Sequence, residues 1–230
     1  MGLATGSSPL ATYAELVRRY EGEEISFAAV QVFLLDEYVG LEAGDPQSYR
    51  AFIEREFISR IDLPKENLHS PDVADAGLET SGDRYESTIA AVGGIDLQLL
   101  GIGTDGHIGF NEPSSSLGSR TRLKTLTAAS RADNARFFDN NLDQVPRHVV
   151  TQGVGTILDA GHLVLTATGP DKAGPVARAI EGPLTAMVPA SALQLHPHAT
   201  VVLDDAAASK LELADYYRET FAGKPSWQSV

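Results

Sequence analysis

Apolar residues along the chain fall into two rhythms. Short apolar runs rich in β-branched and aromatic residues stand at 29–35 (AVQVFLL), 95–102 and 162–168 (HLVLTAT), and runs of this kind read as strands buried on both faces. Between them the spacing turns helical. Leu10, Tyr13, Leu16, Val17 and Tyr20 follow Ser8 and Pro9, which read as N-cap and first helical residue. Tyr49, Phe52, Ile53, Phe57 and Ile61 follow Asp45 and Pro46 in the same relation. Further on, the turn Gly169-Pro170-Asp171-Lys172 leads into a helix to about Glu181, a strand over 200–203 and a last amphipathic helix through Tyr217. Strands alternating with helices predict a doubly wound, Rossmann-like α/β fold, its mainly parallel sheet covered by helices on both faces. No linker, repeat or low-complexity segment interrupts the pattern, so a single domain over 1–230 is expected. The stretch from 114 to 161 lacks a strong strand signal. With its polar, basic run Ser119-Arg120-Thr121-Arg122-Leu123-Lys124, it reads as a long connection acting as a mobile lid.

Composition narrows the partners. The 230 residues carry a formal net charge of −13, which argues against nucleic acid or an anionic membrane as partner. An anionic substrate must then meet its counter-charge locally. The absence of cysteine excludes disulfides and thiolate metal sites. Met1 is not followed by a basic and then apolar leader, and no apolar stretch approaches membrane-spanning length, so the expected location is the cytoplasm. His69, His148, His162, His196 and His198 show none of the helical spacings that chelate a metal, so no metal is expected.

Polar residues collect at the carboxyl ends of the predicted strands, where ligands bind in open α/β sheets. The third strand runs into 101–113 (GIGTDGHIGFNEP), which sets Asp105, His107 and Glu112 within eight residues. In an extended loop, Asp105 and His107 share one side with Cα atoms roughly 6–7 Å apart. A histidine titrates near neutral pH and suits proton transfer to and from a sugar ring oxygen, and a neighbouring carboxylate fixes its tautomer. The plainer alternative is a glycine-rich turn with solvated polar residues. The strand at 29–35 stops at Asp36-Glu37, where partial desolvation raises a carboxyl pKa toward the range of a general base. The alternative for Asp36 is a cap of the following turn. Thr5, Gly6, Ser7 and Ser8 place hydroxyls and a flexible glycine at a helix N-terminus, whose free amides and dipole favour phosphate. An ordinary cap is the alternative there. Arg136 and Lys172 are candidate counter-charges for a phosphate dianion, against a reading as solvated surface residues.

Five segments in order, spread over nearly the whole chain, resemble the glucosamine-6-phosphate deaminase family. They are Thr5-Gly6-Ser7-Ser8, Asp36-Glu37-Tyr38-Val39-Gly40, the loop 101–113, Arg136-Phe137-Phe138 and Leu193-Gln194-Leu195-His196-Pro197. The resemblance implies isomerisation and deamination of glucosamine 6-phosphate to fructose 6-phosphate and ammonia, without metal or organic cofactor. It implies that His107 opens the pyranose ring with Asp105 and Glu112 supporting it, and that Asp36 moves the proton between C2 and C1. It implies phosphate contacts at Ser7, Ser8, Arg136 and Lys172, and a lid over about 122–151. Some hexameric relatives bind N-acetylglucosamine 6-phosphate between subunits through positions matching Ser115, Arg122 and Lys124, so allosteric activation enters as an expectation. The chain itself is consistent with a monomer or a homo-oligomer.

Two departures from the family pattern stand out. A helix and most of a first strand usually precede the Thr-Gly loop, where this chain has Met1-Gly2-Leu3-Ala4; the expectation is a native start further upstream. Gly109 replaces a common alanine, and one methyl group is expected to matter little. The nearest alternative is a 6-phosphogluconolactonase-like hydrolase, which shares an Asp-Gly-His loop but lacks the Phe-Asn-Glu-Pro continuation, with Glu112 as discriminator. A non-catalytic sugar-phosphate sensor is the other alternative; no basic DNA-binding segment accompanies the intact acid and base residues here.

Overall fold

The computed structural model describes residues 1–42, 44–74 and 76–228. Six strands form its main sheet: β1 (Gly2–Leu3), β2 (Val32–Leu34), β4 (Leu68–His69), β5 (Leu97–Leu100), β8 (His162–Ala167) and β9 (Ala199–Leu203). They run in the order β4-β2-β1-β5-β8-β9, and every pairing is parallel. The chain winds outward from β1 to one edge, returns, and winds to the other from β5, which is the doubly wound Rossmann arrangement. The reversal falls between β1 and β5. That crevice is where loops on opposite windings diverge and leave room for a ligand.

Two apolar layers hold the sheet, and alternation along each strand assigns residues to them. On one face Leu3, Val32, Leu34 and Leu99 pack with Tyr13 and Val17 of α1 (Leu10–Glu21) and Ile53 of α2 (Tyr49–Glu56). On the other face Phe33, Leu100, Leu163 and Leu165 meet Tyr85 and Ile89 of α3 (Ser81–Ala91), Ile157 of α5 (Val154–Leu158) and Val176 and Ala179 of α6 (Ala173–Ile180). Buried aliphatic and aromatic side chains of this kind contribute about 1.5–3 kcal/mol each. Tyr13 and Tyr85 also donate hydrogen bonds from their hydroxyls to Ala4 O and Leu34 O, at 2.6 and 2.7 Å. These bonds fix the layers to the carboxyl ends of β1 and β2.

The stretch expected to lack strands contains two. β6 (Arg122–Thr125) and β7 (His148–Thr151) pair antiparallel with each other, and β7 pairs with β3 (Asp36–Tyr38), in the order β3-β7-β6. β6 is too polar to have shown as a strand, since Leu123 and Thr125 face solvent and only Arg122 and Lys124 are half-buried. The predicted strand 29–35 is shorter than expected, because Val30 closes a turn onto Phe27 O and the chain switches sheets after Leu35. Pairing with β7 then carries it through Asp36.

Helix starts also differ. Ser8 makes no side-chain cap and α1 begins after Pro9. Ser48, rather than Asp45, caps α2 by accepting from Ala51 N–H, while Asp45 accepts from Gln47 N–H in a local turn. The single C-terminal helix is two: α7 (Asp205–Ala208), capped by Asp204, and α8 (Ala214–Ala222), with the Glu181 carboxylate accepting from Glu212 and Leu213 N–H groups between them. Between α3 and α5 the backbone at 118–122 passes against Gly82, Gly153 and Gly155, none of which has room for a Cβ without moving that backbone. Glu86 on α3 secures the passage by accepting from Thr121 N–H and from the hydroxyls of Thr121 and Thr156. No helix among the described residues is long and apolar enough to cross a membrane.

Candidate active site

A cavity of about 600 Å3 opens at the carboxyl ends of β1, β2, β5 and β8, over the point where the winding reverses. Ala4 to Ser8 line it from β1, Leu35, Asp36 and Tyr38 from the β2–β3 junction, Gly101 to Thr104 and His107 from β5, and Asp171 and Lys172 from β8. Asp133, Asn134, Arg136 and Phe137 close over it from α4 (Ala128–Asn134) and the turn that follows. Polar residues from six separate stretches of sequence, these five and 46–55, thus face one space.

The loop after β5 is shaped for its histidine. Gly103 N–H donates to His107 O at 2.9 Å and Gly106 N–H to Gly103 O at 3.1 Å, so the loop folds back on itself. The imidazole lies directly against Gly103, where a Cβ would displace it, and Gly106 takes a left-handed φ of 96°. His107 Nδ1 stands 2.7 Å from Asp105 Oδ1. That contact is electrostatic, outside the alignment of an imidazole hydrogen bond, and the same Oδ1 accepts from the His107 backbone N–H at 3.0 Å. Burial pushes the Asp105 carboxyl up, but the ring and amide of His107 outweigh it and hold the group below the usual range. Asp105 therefore stays ionised beside a half-buried imidazole that reaches the cavity.

Asp36 is different in kind. It is 4% exposed, held by the pairing of its backbone with Thr151, and no group among the described residues donates to its carboxyl. Burial raises its pKa well above the usual value, and the charge of Glu37 adds to this. Glu37, its buried neighbour, faces the other way and accepts from the backbone N–H groups of Tyr38, Tyr49 and Arg50 at 2.8–2.9 Å. The second carboxylate at the strand end is thus an anchor for the start of α2, while the first is left free in the cavity.

At the opposite wall, Gly6 has a φ of 94° that turns the chain from β1 toward α1. Because neither serine caps that helix, the Ser7 and Ser8 hydroxyls remain uncommitted. Lys172 donates from Nζ to Ile102 O at 2.7 Å, which leaves two ammonium protons for a ligand. Burial lowers its pKa, and the cation of Arg136 lowers it further. The carboxylates of Asp133, Asp171 and Asp105 act on Lys172 in the opposite sense, and the two cations line the cavity beside Asp133 and Asp171.

The sequence pattern of the family described as glucosamine-6-phosphate isomerases/6-phosphogluconolactonase matches residues 1–202. The chain belongs to this family. Among its relatives, the glucosamine-6-phosphate deaminase of Streptomyces avermitilis is 56% identical over 230 residues, spanning 100% of this chain and 88% of that one. The deaminase of Arthrobacter sp. (strain FB24) is 58% identical with the same coverage. Among solved structures, a monomeric glucosamine-6-phosphate deaminase superposes with a TM-score of 0.88 at 42% identity, over 91% of this chain and 86% of that one. The 6-phosphogluconolactonase of Trypanosoma cruzi shares the fold, with a TM-score of 0.69 at 22% identity over 92% and 83% of the two chains.

In this member of the glucosamine-6-phosphate isomerase/6-phosphogluconolactonase family, Glu112 lies apart from the histidine. Its Oε1 accepts from the Thr127 hydroxyl at 3.1 Å and from the Ser130 hydroxyl, at the start of α4. It is buried and joins the histidine loop to the segment above the cavity rather than reaching the cavity itself. Ser115 is buried, and its hydroxyl has no hydrogen-bond partner among the described residues. Arg122 and Lys124 project from the same side of β6, two residues apart, and burial lowers the pKa of Arg122. None of the three lines the cavity.

Gly109 sits at a φ of 56°, and a Cβ there would approach Thr151 Oγ1 to 2.9 Å. That hydroxyl accepts from Phe110 N–H, so the expectation that a methyl group is harmless is overturned. Sequence reading also missed Tyr49, Phe52 and Arg55, which line the cavity from α2. Tyr49 and Phe52 had been visible only as part of an apolar helical stripe and Arg55 not at all, although their spacing of three places them on one face. Among the described residues no group of three His, Asp or Glu side chains is placed to hold a metal ion.

Proposed function

We propose that this chain is a glucosamine-6-phosphate deaminase, converting glucosamine 6-phosphate and water to fructose 6-phosphate and ammonia. The observation that carries the reading is Asp36, a buried carboxyl without a partner that shares one cavity with His107 and the cations of Lys172 and Arg136. His107, kept beside ionised Asp105, opens the pyranose ring by moving a proton to the ring oxygen. Asp36 then takes the C2 proton of the open-chain aldose to give an enolamine and returns it to C1. The C2 imine so formed adds water and releases ammonia. Lactone hydrolysis needs an activated water but no proton carried between adjacent carbons, so a desolvated second base favours the deaminase over the hydrolase.

The phosphate group is assigned to Thr5, Gly6, Ser7 and Ser8, at the N-terminus of α1, with Lys172 and Arg136 supplying the charge. Glu112 is assigned to coupling the histidine loop to a lid over about 122–151. Its two ends are strands, which confines its motion to the intervening residues. The chain acts in the cytoplasm as one domain over 1–230, as a monomer or a homo-oligomer; the 42% identical solved deaminase is monomeric. Ser115, Arg122 and Lys124 remain the candidate contacts for N-acetylglucosamine 6-phosphate, supported by the uncommitted Ser115 hydroxyl. Sigmoidal kinetics made hyperbolic by that compound support such regulation, and hyperbolic kinetics indifferent to it count against it.

The test of the reaction is incubation with glucosamine 6-phosphate and paired assay of ammonia and fructose 6-phosphate. Equal amounts of the two support the reading. Hydrolysis of 6-phosphogluconolactone without any ammonia from the amino sugar sinks it in favour of the hydrolase.

A further inference from the structure

Asp36 and Tyr38 are two apart on β3, so their side chains leave the strand on the same side, and both line the cavity. The Tyr38 hydroxyl does not stand alone. Tyr49, across the cavity wall on α2, donates to it at 3.2 Å, with the ring centroids 4.7 Å apart. The pair is fixed from three directions. Tyr49 stacks on Phe110, within 6° of parallel at 5.9 Å, and Tyr38 meets Phe138 edge-on at 5.5 Å. Glu37 binds the backbone N–H of Tyr49 at 2.9 Å, so the same strand that carries Asp36 and Tyr38 also sets the position of α2. Two phenols sharing one hydrogen bond use one of their two protons and leave the other free.

We propose that the Tyr38–Tyr49 pair is a further part of the catalytic site, in which Tyr38, polarised by Tyr49, donates a hydrogen bond through its free hydroxyl to the substrate oxygen on C1 while Asp36 removes the C2 proton. The phenol keeps its proton, and the substrate's own ammonium supplies the one that the C1 oxygen takes up. This rests on the deaminase reading above. As the C2–H bond breaks, electron density moves onto the C1 oxygen, and a neutral donor aimed at it gains most in the transition state. Burial keeps both phenols protonated, the charge of Asp36 acting in the same direction. They can thus donate without themselves titrating while Asp36 works. Glu37 is the positioning residue of the arrangement, acting through the start of α2. The carboxylate pair at the strand end then divides its labour, one group for the proton and the other for the donor that answers it.

Tyr38→Phe, Tyr49→Phe and the double variant keep the aromatic packing and remove only hydroxyls. Steady-state kinetics are measured on glucosamine 6-phosphate carrying hydrogen or deuterium at C2, beside the inhibition constant of glucitol 6-phosphate, which has no C1 carbonyl. The expected result is a kcat about a hundredfold lower in Tyr38→Phe and about tenfold lower in Tyr49→Phe. The double variant is expected to be no worse than Tyr38→Phe, because the two hydroxyls act as one unit. The deuterium effect on kcat rises in each variant, and the hexitol constant changes by less than about threefold, a shift under 1 kcal/mol. A kcat within twofold of the parent in both single variants overturns the inference, as does a rise in KM matched by the hexitol constant with kcat unchanged. Parent protein that releases no ammonia overturns the deaminase reading itself, which separates the two failures.

Discussion

The two regions of the cavity to which the proposed mechanism assigns proton transfer are built in opposite ways. Asp36 belongs to a strand, is 4% exposed, and gains its basicity from the removal of water without any partner. His107 belongs to a glycine-bearing loop, is 23% exposed in its side chain, and works beside a carboxylate 2.7 Å away. The first is tuned by what is absent around it, the second by what is placed next to it. Abstracting a proton from carbon needs a strong base in a dry, fixed position, whereas ring opening shuttles protons between oxygens and tolerates water. Each proposed task thus falls in the environment that suits it.

The comparison is broken most directly at Asp36. Asp36→Asn is expected to lower deamination by about 10²–10⁴-fold while glucitol 6-phosphate still binds, measured by ammonia release and competition. The same substitution is expected to raise the melting temperature at neutral pH. Folding holds the Asp36 proton to a higher pH than the unfolded chain does. Its favourable contribution is therefore complete below the unfolded pKa and lost as pH rises through the folded one. The activity of the parent protein is expected to fall on the acid side above the ordinary carboxylate range, and a limb at the ordinary value contradicts the desolvated base.

At the other region, His107→Gln is expected to cost about a hundredfold on the cyclic substrate and to be partly rescued on one already open. Equal losses on both count against ring opening. Glu112→Gln sharpens the contrast, because the loop region is tied to the start of α4 through a side-chain carboxylate, whereas Asp36 is tied to β7 only through its backbone. Loss of the charged acceptor for Thr127 and Ser130 is expected to cost about 1.5–3 kcal/mol of stability, read by denaturant unfolding, with the acid limb set by Asp36 unmoved. The smallest effect is expected for Gly109→Ala, at about 1–2 kcal/mol, because the left-handed backbone and Thr151 both resist the added methyl. Unfolding midpoints equal to the parent return that position to neutrality.

Legibility from sequence divided along the same line. The parallel sheet, its two layers and the Asp36 strand end were readable because buried strands and amphipathic helices carry their pattern locally. The loop around His107 was readable as chemistry, yet its partners were not, because which side Glu112 faces depends on α4, distant in sequence. β6 and β7 went unseen for a related reason: a half-polar strand of four residues is defined by the neighbour it pairs with rather than by its own composition. Tyr49 looked like core because a helix stripe does not say whether the space it faces is filled.

The glycine-lined passage at 118–122 has a mechanical meaning for the proposed lid. With Gly82, Gly153 and Gly155 pressed against that backbone and Glu86 fastening Thr121, the segment behaves as a mount rather than a joint. Whatever swings over the cavity must pivot beyond β6, so a probe on exposed Leu123 would stay still while one near Asn140, on the far turn with its φ of 60°, would register the full stroke. Side chains added at those three glycines would reach the chemistry from a distance, by shifting the mount from which the arm carrying Arg136 is hung.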